Sequence, residues 1–100
     1  MFTFKFYVNV KTDKHGRKLD DLDARTSRAL DYLSSLYGHV TYSLDRGSYK
    51  IGRKTHRSEP CVVFTVTTSL TLDHGESSAK ALKNIFDQMH ILFVYEKQKK

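Results

Sequence analysis

The chain has 100 residues, 39% apolar and 28% charged, with 17 Lys or Arg against 11 Asp or Glu and a net charge of +6. That balance excludes a disordered chain and fits one folded domain over residues 1–100 with a modest core of its own. No apolar run is long enough to span a bilayer as a helix, and one cysteine, Cys61, excludes an internal disulfide.

Phe2, Phe4, Phe6, Val8 and Val10 alternate with Thr3, Lys5, Tyr7 and Asn9, which predicts an opening strand with one apolar face. The alternation reads as a strand and not as a signal peptide, so a cytoplasmic location is expected. Polar "KTDKHGRK" (11–18) follows as a loop. "LDDLDARTSRALDYLSSLYG" predicts a helix with Leu22, Thr26, Ala29, Leu33, Leu36 and Tyr37 inward, acids in its first turn and Gly38 ending it. Val40, Tyr42 and Leu44 alternate in a second strand.

Residues 46–57, "RGSYKIGRKTHR", form a long basic connection without an acid. Pro60 then opens a β-branched strand, "CVVFTVTTSL", in which Cys61 reads as core filler. "DHGE" predicts a capping box, with Asp73 as N-cap and Glu76 at N3. The helix it starts turns Leu82, Ile85, Phe86 and Met89 inward. "ILFVYE" (91–96) is the last strand, and 97–100 a frayed basic tail.

The order β-α-β-β-α-β predicts an α+β, ferredoxin-like fold: a four-stranded antiparallel sheet, order 4-1-3-2, with both helices on one face. This topology brings the loop after the first strand and the basic connection to one end of the sheet. There Lys11, Lys14, Arg17 and Lys18 meet Arg46, Lys50, Arg53, Lys54 and Arg57, against Asp13 and Asp45. One reading is a solvated, edge-protecting surface. The other is an anion site, in which Tyr49 stacks on a base among phosphate-binding cations and Gly16, Gly47 and Gly52 permit close backbone approach.

Three ligand classes follow: a small phosphorylated ligand such as a nucleotide or cyclic nucleotide signal, bound without catalysis; single-stranded RNA or DNA; and a phosphodiester that His15, His56 and His90 would cleave without metal. A compact patch favours the small ligand, because the open sheet face (Lys5, Tyr7, Asn9, Thr41, Ser43, Thr65, Thr67) carries little charge for a strand to follow. "FYVNV" is like the first-strand motif of RNA-recognition modules, but "EPCVVFTV" lacks its Gly-rich, aromatic counterpart. The acids of "DDLD" read as complements to the helix dipole and not as metal ligands. No cofactor, metal or membrane partner is expected, while a homodimer through sheet edges or faces would pair two patches.

The run "YSLDRGSYKIGRKTHRSEPCVVFTV" resembles a pattern in small uncharacterised bacterial and bacteriophage proteins. There a strand is followed by Gly-x-aromatic (Gly47, Tyr49), a polar excursion, Glu-Pro (Glu59, Pro60) and a β-branched strand. Phe-x-Gln before the last strand (Phe86, Gln88) matches that group's ending. The resemblance implies a bacteriophage or bacterial accessory protein, by association one with a counter-defence role in the host cytoplasm. It brings no activity with it.

Overall fold

The computed structural model describes residues 1–46, 49–51, 54–56 and 60–98, with the side chains of 45–46, 49–51, 54–56 and 60 outside that description. Its elements are β1 (Phe2–Asn9), α1 (Leu22–Tyr37), β2 (Thr41–Arg46), β3 (Tyr49–Ile51), β4 (Lys54–His56), β5 (Pro60–Thr68), α2 (Leu72–Ile85) and β6 (Leu92–Lys97). The main sheet is antiparallel with order β2-β5-β1-β6, which is the expected 4-1-3-2 ferredoxin-like arrangement. Part of the basic connection forms a ladder of its own, β3 against β4, with Tyr49 opposite His56 and Ile51 opposite Lys54.

The period-two reading of β1 holds. Phe4, Phe6 and Val8 are fully buried, facing Val62, Phe64 and Val66 of β5, Ala29 and Leu33 of α1, and Leu82 and Phe86 at the end of α2. Phe93 of β6 packs edge-on to Phe4 and stacks on Phe6, with ring centroids 5.2 and 5.1 Å apart. Burial of these side chains, at about 1.5–3 kcal/mol each, is the main source of stability. Cys61 is buried too, opposite Asn9 in the central strand β5.

Five local expectations are corrected. Leu36 is exposed, because the inward stripe runs Leu22, Thr26, Ala29, Leu33 and Tyr37, and Leu36 falls at its margin. Tyr42 and Leu44 are 53% and 72% exposed: β2 is an edge strand, and among the described residues α1 packs on β5 and α2, leaving β2 uncovered. Asp73 is not the N-cap of α2. Thr71, in extended conformation, precedes the helix, and Asp73 lies within the first turn, where its charge complements the dipole.

Met89 is exposed because α2 has already ended. Asp87 adopts a left-handed φ of 50°, Gln88 N–H bonds the Lys83 carbonyl at 2.9 Å and Asp87 N–H that of Asn84 at 3.3 Å, a Schellman turn closed by an aspartate. The basic tail does not begin at Lys97, which pairs with Phe2; Gln98 N–H then bonds the Met1 carbonyl at 2.9 Å.

Candidate functional site

The ladder registers fix which connections meet. Asn9, at the end of β1, and Asp45, near the end of β2, both pair with Cys61, while Tyr7 pairs with Leu92. The loop after β1, the roots of the β2–β5 connection and the 86–91 join therefore lie at one end of the sheet.

The loop is a small braced hairpin. Asn9 Oδ1 accepts from Lys11 N–H at 2.7 Å, Thr12 bridges Lys18, and Leu19 N–H bonds the Lys11 carbonyl at 3.1 Å. At the tip Asp13 Oδ1 accepts the N–H groups of His15 and Arg17 at 2.8 and 3.0 Å, and Gly16 takes the positive φ the turn requires. Burial raises the Asp13 carboxyl, but those two N–H bonds and the charges of Arg17 and His15 outweigh it and hold it below the ordinary value.

Four cations were expected from this loop, and the structure divides them. Arg17 Nε lies 3.5 Å from Asp13, and Lys14 Nζ lies 3.3 Å from Asp87 in the 86–91 join. Lys11 and Lys18 are exposed and, among the described residues, have no carboxylate partner. With Val10, Thr12, Leu19 and Leu22 they line an open groove of about 540 Å³. Its walls are apolar and its rim is cationic, with one lysine on each arm of the hairpin.

Sequence reasoning passed over this groove, since Val10 and Leu22 read there only as inward-facing residues and Leu19 was given no role. It also passed over Arg25, which donates from Nε to the Asp20 carbonyl (2.9 Å), from Nη2 to Asp20 Oδ1 (2.9 Å) and from Nη1 to the Ile85 carbonyl (2.7 Å). That clamp joins the entry of α1 to the end of α2. The side-chain hydrogen bond from Arg25 holds the Asp20 carboxyl below its ordinary value. Asp20 precedes the helix, so no i,i+4 spacing marks the pair.

Arg46, Tyr49, Lys50, Lys54 and His56 are placed by backbone only, and Arg53, Arg57, Gly47, Gly52 and Glu59 lie outside the described residues. The β3–β4 ladder sets Tyr49 directly opposite His56 and Lys50 opposite Thr55. His15 is exposed at the loop tip. His90 lines a depression of about 200 Å³ with Lys80, Lys83 and Met89, and His15 is not among its lining residues. Among the described residues no three His, Cys, Asp or Glu side chains group as a metal site, and no helix is long and apolar enough to cross a membrane.

No family model and no curated protein matches the chain in sequence. Its fold is similar to that of a solved phage SAM lyase in complex with S-methyl-5'-thioadenosine, with a TM-score of 0.62 at 14% identity, covering 96% of this chain and 80% of that one. It is likewise similar to a phage SAM lyase in the apo state, with a TM-score of 0.57 at 13% identity, covering 95% and 78%. At that identity the likeness is one of fold.

Proposed function

We propose that this protein binds a small nucleotide-derived ligand, without chemistry on it, at the end of the sheet where the 11–19 hairpin, the basic connection and the 86–91 join meet. The groove beside the hairpin carries the reading. Its volume, about 540 Å³, lies within the roughly 300–1,000 Å³ usual for small-molecule sites. Val10, Leu19 and Leu22 offer an apolar slot for a planar base, and Lys11 and Lys18 offer charge for a phosphate. In sequence, residues 46–57 contribute five cations to a chain of net charge +6, which favours an anionic ligand.

The fold likeness supports the nucleoside part, since one of the similar phage structures holds S-methyl-5'-thioadenosine. That molecule has no phosphate, so the phosphate part rests on the lysines alone. A binder of this kind acts by sequestration, in keeping with an accessory or counter-defence role in a phage-infected cell.

Isothermal titration with AMP, cyclic AMP and S-methyl-5'-thioadenosine at constant ionic strength tests the proposal. Saturable binding, tightest for a phosphorylated member, is the expected result, and no binding by any of the three refutes it. The same likeness favours a second reading, in which the chain acts on SAM itself. Incubation with SAM, followed by chromatography for S-methyl-5'-thioadenosine, separates turnover from binding.

A further inference from the structure

We infer that Gln88 is a positioning residue for the groove: it sets the hairpin that carries Lys11 and Lys18, though it does not line the groove itself. The inference rests on the ligand reading above.

Gln88 is 8% exposed, and its side-chain amide spans two elements. Nε2 donates to the Thr12 carbonyl at 2.7 Å and to the Phe86 carbonyl at 2.9 Å. Thr12 follows Lys11, lines the groove and is bridged to Lys18, so this one contact fixes the register of both lysine-bearing arms. Beside it, Lys14 N–H bonds the Asp87 carbonyl at 2.6 Å and Lys14 Nζ meets the Asp87 carboxylate at 3.3 Å. The hairpin is thus held along one side by two consecutive residues of the join.

The chemistry explains why glutamine stands here. Two carbonyl oxygens face the site, and a neutral NH₂ has one hydrogen for each. A carboxylate would set a third acceptor against them, and an apolar side chain would leave both without this donor. Asparagine is one methylene shorter. The Schellman turn supplies the aim: left-handed Asp87 turns the chain back so that its carbonyl meets Lys14 and the next residue reaches Thr12. The Phe-x-Gln pair of the sequence then has a physical meaning. Phe86 supplies a buried ring and a carbonyl, and Gln88 connects that carbonyl to the ligand hairpin.

The test compares Gln88→Met, which keeps the volume and loses the donor, with Val66→Ala, a core truncation opposite Phe4 and away from the groove. Both variants should melt earlier than the wild type. AMP affinity, measured by titration well below either midpoint, should fall roughly five- to hundredfold for Gln88→Met and stay within about twofold for Val66→Ala. Amide exchange at Asp13 and Leu19, whose N–H groups close the hairpin, should accelerate more in Gln88→Met than in Val66→Ala. If the two variants lose affinity equally, or hairpin exchange is unchanged in Gln88→Met, the inference is overturned while the ligand reading stands. If the wild type binds none of AMP, cyclic AMP and S-methyl-5'-thioadenosine, the ligand reading fails and takes the inference with it.

Discussion

Gly75, in the first turns of α2, lies directly under the ring of Phe93 from β6. A Cβ added there would overlap Phe93 Cζ, with Cε1 and Cε2 at 3.0 and 3.1 Å. The glycine is buried, and Phe93 is itself wedged against Phe4 and Phe6, so the ring has little room to retreat. Helix propensity alone predicts that Gly75→Ala stabilises by up to about 1 kcal/mol. The contact predicts the opposite sign, a loss of about 1–3 kcal/mol from overpacking. Urea denaturation of the two proteins decides which effect wins.

Reversal of Lys11 and Lys18 to Glu should abolish AMP binding and shift unfolding free energy by less than about 0.5 kcal/mol per site, since both side chains are exposed. The salt response of the wild type separates ligand classes. A strand binder neutralising six or more phosphates would lose roughly 10³-fold in affinity between about 50 and 200 mM salt. A mononucleotide site should lose far less. A steep slope, with tighter binding of oligonucleotides than of AMP, would favour nucleic acid instead.

Tyr37 ties the two helices through its hydroxyl, 2.7 Å from Ser78 Oγ and donating to the His74 carbonyl at 3.1 Å. Ser78 is wholly buried, and its other contact, with the Tyr32 hydroxyl, is long at 3.5 Å. Tyr37→Phe should therefore cost about 1–3 kcal/mol, read from a denaturation curve. Burial raises the Tyr37 phenol above its ordinary value. The folded state thus favours the neutral phenol, a contribution fully present below pH about 10 and lost as pH rises through the folded value. The alkaline decline in melting temperature should be shallower in Tyr37→Phe.

Tyr49 is proposed to stack on the bound base. Tyr49→Ala should weaken AMP binding by about 1–3 kcal/mol with little change in stability, and Tyr49→Phe should be nearly silent because it keeps the ring. A core role would show the reverse: a stability loss of about 3 kcal/mol or more and unchanged affinity. Calorimetric melts and titrations on both variants distinguish the two.

Much of the fold was legible in the chain because its signals are local and periodic. The alternation of Phe4, Phe6 and Val8 and the 3.6-residue stripe from Leu22 to Tyr37 each specify an element and the face it buries, while the β-branched run after Pro60 specifies a strand buried on both faces at its start. Element order then determined the antiparallel sheet, and with it the end at which the 11–19 hairpin and the roots of the β2–β5 connection lie. The β3–β4 ladder escaped notice, since three-residue strands are too short to establish a period.

What only the tertiary structure decided depends on partners far apart in sequence. Charge counting placed four loop cations in one patch, yet Asp87, more than seventy residues from Lys14, takes one of them. The groove is lined from one segment, Val10 to Leu22, yet the hairpin that shapes it is braced from far along the chain, by Asp87 and Gln88. In sequence Gln88 is marked only by the Phe-x-Gln resemblance, which carries no role for it. Its amide acquires a task only when the Schellman turn at Asp87 brings it to the Thr12 carbonyl, because hydrogen-bond geometry is a property of the assembled backbone and not of composition or spacing.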